Sequence, residues 1–297
     1  MCTPEEKLIL PEISHILQLT KENGFSDSGF AVLENTLFLV CALPYGNDMP
    51  LPPPCQKNGF GRIAPFAQFN YYKEAVKRLK KIRSVLQKNY GGAKDDYRIF
   101  CNSRIPEKPL AAAAGIGFIG KHSLVITKEA GTLAVIAAMT MKTPAAEQRF
   151  VKPIDTDKNT LHSFAGFPFC NSCDKKNPPC RIACPSGAIK NDGAIEITKC
   201  IQWYASGNSG FVPDSIVNVW GDVFYGCTKC QDSCPHNKKN ITGIKTNLGK
   251  LDMFIDAKNI LAMPDKEIKQ YFKGSTLGTS WLTPKALRRN AQCILHC

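Results

Sequence analysis

The sequence predicts an α+β protein, with a mixed α/β region followed by a small cysteine-rich domain. Two observations carry this. Ahead of residue 165, apolar runs of strand length alternate with amphipathic helical patterns. Between residues 170 and 234, eight of the fourteen cysteines form two groups that both end in C-x3-C-P. The 297 residues suffice for one large domain or two ordinary ones, and 43% apolar residues supply a core. We expect domains at 1–165, 166–245 and 246–297, the last a helical segment packed on the core.

The chain opens with Thr3, Pro4 and Glu6, an N-cap, a first-turn proline and a capping-box partner for a helix. It lacks the basic region, apolar block and cleavage site of a signal peptide. No run approaches the roughly 20 apolar residues of a membrane helix. These features lead us to expect a cytoplasmic protein with no membrane partner, and a monomer. The net charge of +13 favours anionic partners.

"TLFLVCALPYG" (36–46) reads as a buried strand closed by Pro and Gly, and "PLPPPCQKNGFG" (50–61) as a surface loop. In the stretch "KEAVKRLKKIR" (73–83), helical spacing puts Tyr72, Ala75, Leu79, Ile82 and Leu86 on one face and lysines on the other. That polar face is a solvated one or a phosphate-binding one. "YRIFCNS" (97–103) is a further strand. "HSLVITKEAGTLAVIAAMTM" (122–141) reads as two strands joined by a turn at Glu129, Ala130 and Gly131.

Gly115, Gly117 and Gly120 in "AAAAGIGFIGKHS" (111–123) satisfy G-x-G-x-x-G. A dinucleotide site needs a strand before these glycines and a helix after them. Here an alanine-rich helix comes first and a β-branched strand follows. The glycines are better explained by close passage of the backbone past another element or a flat ligand.

The cysteines carry the chemistry. Cys170, Cys173, Cys180 and Cys184 read C-x2-C-x6-C-x3-C-P; Cys227, Cys230 and Cys234 read C-x2-C-x3-C-P; Cys200 stands between the groups. A reducing compartment disfavours disulfides. Two-cluster bacterial ferredoxins use C-x2-C-x2-C-x3-C-P twice, and the fourth cysteine of each run ligates the other cluster. That crossing assigns Cys170, Cys173, Cys180 and Cys234 to one 4Fe–4S cluster, and Cys184, Cys200, Cys227 and Cys230 to a second. Zinc is the alternative, because structural zinc sites also use C-x2-C pairs. The repeated ending and the two sets of four favour clusters, hence a ferredoxin-like double 4Fe–4S domain. Cys2, Cys41, Cys55, Cys293 and Cys297 are read as ordinary buried or terminal thiols.

Taken together, "ALPYGN" (42–47), "EKPLAAAAGIGFIGKHSL" (107–124), the cysteine order, "CPSGAI" (184–189), "GCTKCQDSCPHN" (226–237), "FKGSTL" (272–277) and "LRRNAQCIL" (287–295) make the chain resemble the epoxyqueuosine reductases. These are cobalamin-dependent iron–sulfur enzymes related in their core to reductive dehalogenases. The resemblance implies a corrinoid held between the α/β domain and the cluster domain, with Lys121, His122, Gln202 and Thr228 as corrinoid-binding residues. It implies that an external low-potential donor feeds electrons through both clusters to cobalt. In the family, an epoxide on a tRNA wobble base becomes an alkene, so tRNA or another anionic substrate is the implied partner.

Four departures qualify the resemblance. The family's catalytic aspartate falls on Cys101, six residues before Glu107. The family's "RYA…DYH" signature appears as "PFAQFNYYK" (65–73), with Pro65, Tyr71 and Lys73 replacing Arg, Asp and His. About fifteen extra residues lie within 144–167, and no C-terminal helical-repeat domain is expected after Cys297. These departures leave two substrates open, epoxyqueuosine in tRNA and a different small or modified one. Two other functions remain as alternatives: a two-cluster electron carrier without corrinoid, and a non-catalytic corrinoid-binding module.

Overall fold

The computed structural model describes residues 4–45, 59–141, 170, 173, 177–207, 210–237 and 251–296. Thr3, the side chain of Glu6, most of the 50–61 loop, the 144–167 insertion, Cys2, Cys55 and Cys297 lie outside the described residues. The chain divides into two compact units. The first comprises Met1–Pro44, Tyr72–Gly120 and Leu124–Cys170, and the second Tyr45–Tyr71, Lys121–Ser123 and Asn171–Cys297, each taken over its described residues.

The first unit is organised by a four-stranded antiparallel sheet of order β1-β2-β7-β4, from β1 (Asp27–Leu33), β2 (Thr36–Pro44), β7 (Ala134–Met141) and β4 (Ile99–Cys101). β2 is the expected apolar strand, and its central place explains why every residue after Thr36 is buried. It pairs with β1 through a two-residue turn, Glu34 and Asn35, both at positive φ (48° and 57°). That is the turn geometry whose twist matches a hairpin. α4 (Glu107–Ala113) lays Leu110 and Ala111 against Ala31, Val40, Ala42 and Ala138 of the sheet.

α1 (Pro4–Glu22) packs on β1. α3 (Tyr71–Tyr90) buries Ala75, Leu79, Ile82 and Leu86 completely, while Lys73, Lys77, Lys80 and Lys81 are exposed. Arg78 departs from the solvated pattern, since Nη1 donates to the Asn23 carbonyl (2.6 Å) and Nε to Glu74 (2.9 Å).

The helix-then-strand order expected around the glycines holds. α4 comes first, Gly115 turns the chain at φ 68°, and β5 (Gly117–Ile119) pairs with β6 (Val125–Thr127). A Cβ on Gly117 would collide with the Ile126 carbonyl, so the close backbone passage is to the paired strand. The two strands of 122–141 exist and are joined by the expected turn, but they belong to different sheets: β6 pairs with β5, and β7 joins the large sheet. Short β6 closes a local hairpin, while β7 finds its apolar partners in β2 and β4.

In the second unit, β3 (Phe60–Ile63) runs parallel to β8 (Val223–Tyr225) and antiparallel to β9 (Phe254–Asp256). Its core gathers Trp220, Phe224, Phe272 and Ile63. α11 (Pro284–Leu295) starts at Thr283, whose hydroxyl caps the Ala286 N–H (3.2 Å), and packs on β8 and α9 (Ala257–Ala262). Among the described residues no helix is long and apolar enough to cross a membrane.

Candidate iron–sulfur and corrinoid site

The two C-x3-C-P runs fold alike. α5 (Pro179–Ile182) is one helical turn containing Cys180, and Cys184 follows with its N–H donated to the Arg181 carbonyl (3.2 Å). α8 (Lys229–Asp232) is one turn containing Cys230, and Cys234 follows with its N–H donated to Gln231 (3.0 Å). In each run the x3 spacing therefore puts the two sulfurs about one helical turn apart, and the proline prevents the turn from continuing. α5 and α8 pack on each other. Cys200 is the residue just ahead of α6 (Ile201–Ala205).

Burial pushes the Cys227 thiol up to about 11; a hydrogen bond from the Lys229 backbone opposes this, Cys200 and Cys184 add to it, and Arg62 pulls it back. Cys230 is also pushed well up, by burial first and then by Cys227, Cys200, Cys184 and Cys180. Cys184, although it belongs to the first run in sequence, thus lies within electrostatic reach of Cys227 and Cys230. The charge of an iron centre would make thiolates of Cys227 and Cys230. Among the described residues no group of three or more His, Cys, Asp or Glu is gathered tightly enough to hold a metal ion.

Of the first set, Cys170, Cys180 and Cys234 are buried and Cys173 is partly so. Cys41 and Cys293 are buried thiols, as expected.

The four implied corrinoid residues all fall in the second unit. Gln202 Oε1 accepts the Cys227 N–H (3.1 Å), and the Thr228 hydroxyl donates to Asp232 (3.0 Å). Both side chains therefore flank Cys227. Lys121 is half-buried and His122 is buried, in the β5–β6 connection. Amide and hydroxyl groups beside a cluster cysteine suit the amide-fringed edge of a corrinoid.

Cys101 ends β4, half-buried, with its Sγ donating to the Ile136 carbonyl (3.5 Å). Burial and then Glu107 hold its proton on well beyond the ordinary thiol range. Glu107 accepts from the Ser103 N–H (3.0 Å) and hydroxyl (3.3 Å), and burial raises its own pKa. At the other departures, Pro65 opens α2 (Pro65–Gln68), Lys73 is exposed, and Tyr71 is buried among Tyr45 and Phe69. An aromatic cluster of Tyr45, Phe66, Phe69, Tyr71 and Tyr225 thus occupies the segment where the family's signature carries charge.

Several supporting residues escape a reading of the sequence. Tyr45 receives a hydrogen bond from Gln231 (3.1 Å), linking "ALPYGN" to the helix that carries Cys230. Asn290 is fully buried and its amide donates to Ala205 (2.9 Å) and Phe224 (3.0 Å), bracing the segments that lead from Cys200 and into Cys227. Thr276 of "FKGSTL" bonds the Phe66 and Phe69 carbonyls. Their segments stand out as motifs, but the pairings are long-range and have no local signal.

Comparison with known proteins agrees with this geometry. The 4Fe-4S double cluster binding domain family matches residues 169–237. An epoxyqueuosine reductase of Aliivibrio fischeri is 32% identical over 171 residues, 57% of this chain and 40% of that protein. One from Prochlorococcus marinus is 29% identical over 76% of this chain and 66% of that protein. The chain thus matches about two-fifths of the Aliivibrio protein's length. Among solved structures, the epoxyqueuosine reductase of Streptococcus thermophilus superposes with a TM-score of 0.72 at 22% identity, over 95% of this chain and 80% of that one. The Bacillus subtilis enzyme, with its aspartate catalytic loop swung out of the active site, gives 0.74 at 21%, over 97% and 82%. An epoxyqueuosine reductase bound to a tRNA-Tyr stem loop gives 0.71 at 19%, over 97% and 81%. The chain has the α+β fold of these enzymes and carries their double-cluster domain.

Proposed function

We propose that this relative of the epoxyqueuosine reductases is a cobalamin- and 4Fe–4S-dependent oxidoreductase that reduces an epoxide or a comparable leaving-group substrate on a nucleic acid or small anion. The observation that carries the reading is the packing of the two C-x3-C-P turns, α5 and α8, on each other, with Gln202 bonded to the Cys227 N–H and Thr228 beside it. In this reading Cys170, Cys173, Cys180 and Cys234 hold one cluster, and Cys184, Cys200, Cys227 and Cys230 hold the other.

The corrinoid, when bound, supplies low-valent cobalt chemistry, and the clusters supply one-electron relays from an external low-potential donor. Reducing an epoxide to an alkene takes up two electrons and two protons and releases water. The protein must therefore hold cofactors in place and present a proton. Gln202 fixes the Cys227 loop through its N–H. Asn290 fixes the segment that follows Cys200 and the one that leads into Cys227. Lys121, His122, Gln202 and Thr228 would offer a bound corrinoid its polar contacts. Cys101 stands at the position of the family's proton donor, with its proton held by the Ile136 carbonyl. The +13 charge and the tRNA stem loop bound to one structural neighbour support tRNA as the substrate carrier. The test is anaerobic reconstitution with metal and sulfide analysis, where we expect about eight iron and about eight acid-labile sulfide per chain. One or two zinc ions without sulfide would remove the electron-transfer reading altogether.

A further inference from the structure

Arg62 is 6% exposed, an unusual place for a guanidinium on a three-stranded sheet. β3 carries it, and the parallel register with β8 sets Arg62 opposite Val223, four residues before Cys227. Its Nε faces Asp222 (3.7 Å) and its Nη1 faces Asp232 (3.4 Å), the last residue of the α8 turn that carries Cys230. Its Nη2 is buried and has no hydrogen-bond partner among the described residues. A buried, unsatisfied donor on a permanent cation calls for an explanation.

Its surroundings point to one. Asp222 also faces Lys229 (3.8 Å), and Asp232 also accepts from Thr228. Both carboxylates are partly open to water, at 20% and 26% exposure, as is Lys229 at 43%. Arg62 is the most desolvated of the four charges, so its field is the least screened. Its partner Asp232 lies between Cys230 and Cys234 in the chain, so the guanidinium is held against the turn that carries these cysteines.

We infer that Arg62 is a positioning residue for the cluster held by Cys184, Cys200, Cys227 and Cys230, acting as a fixed positive charge and a hydrogen-bond donor toward its sulfur atoms. The inference rests on the assignment of these cysteines given above. A cluster gains one negative charge when it accepts an electron from the low-potential donor, with no bond made or broken. A buried cation and a hydrogen bond to sulfur both favour that reduced state, and these are recognised levers on cluster potential. Arg62 therefore makes this cluster easier to reduce than it would be without the cation.

The test is a mediated reductive titration of the full reconstituted chain, followed by electron paramagnetic resonance. Arg62→Gln is expected to keep wild-type iron and sulfide while its reduced-to-oxidised ratio at a fixed potential falls at least tenfold for one cluster. For a one-electron couple that is a drop of about 59 mV. The shifted signal should be the one that Cys227→Ala removes, and Arg62→Lys, which keeps the charge, should shift it less. Unchanged potentials, or equal shifts in both clusters, overturn the inference. If Arg62→Gln loses iron, Asp222→Asn takes its place. By removing an anion paired with Arg62 it should raise the potential of the same cluster, and no change there overturns the inference equally. A wild-type chain that holds zinc instead of iron and sulfide fails at an earlier, separate step and overturns the cysteine assignment with it.

Discussion

Replacing Cys234 with alanine should remove one cluster and leave the other, so that iron falls from about eight to about four per chain. The cluster lost should differ from the one lost in Cys227→Ala, although the two cysteines belong to one short run. α8 holds the reason: Cys230 lies within its single turn, and Cys234 follows at the turn's end, buried where Cys230 is only partly so. Cys230 meanwhile senses Cys227, Cys200 and Cys184, three members of one set drawn from three separate stretches of sequence, ahead of Cys180 of the other set. The two variants should therefore leave different paramagnetic signals, and electron transfer from a low-potential donor to added cobalamin should collapse in both because the relay is broken in each. If both variants lose the same signal, the crossed partition is wrong.

The second large effect is a gain. Cys101→Asp should raise turnover on an epoxyqueuosine-bearing tRNA stem loop at least tenfold over a slow or undetectable wild-type rate. The Cys101 thiol is held against the Ile136 carbonyl, and burial with Glu107 nearby keeps its proton from leaving. An acid that cannot reach its anion is a poor donor to a developing alkoxide. A carboxyl in the same half-buried place would have its pKa raised for the same reasons, yet it would remain far more acidic than the thiol. General-acid help of this kind is typically worth about 10²–10⁴ in rate. Because the new carboxyl acts while protonated, the gain should fade as pH rises through its elevated pKa. Robust wild-type turnover that is unchanged or lost in Cys101→Asp would show that a different residue supplies the proton.

What the sequence disclosed follows from the range of each interaction. β2 was legible because a central strand buried on both faces must be apolar along its length. α3 was legible because Ala75, Leu79, Ile82 and Leu86 recur at helical spacing. The cysteine runs were legible because each C-x3-C-P is one local turn. β1 was harder to see: its "DSGFAVL" begins with turn-forming residues, and its pairing depends on Glu34 and Asn35 both adopting positive φ. β3, β8 and β9 are three or four residues each, too short for a period to register. Arg62 and Asp232 are 170 residues apart, and only the parallel pairing of β3 with β8 brings them together. The loss of charge at Pro65 and Tyr71 was visible in the sequence. Its replacement by packed aromatic rings became visible only in the fold.

The account stands most directly on the union of clusters and corrinoid in one protein. The deciding measurement is the ultraviolet–visible spectrum of the anaerobically reconstituted chain with added cobalamin, before and after a low-potential reductant. The account predicts that the protein shifts the corrinoid bands on binding and that reduced clusters then pass electrons to cobalt, bleaching the cob(II)alamin absorption. A corrinoid spectrum identical to that of free cobalamin, with intact reducible clusters beside it, would contradict the account and leave an electron carrier in its place.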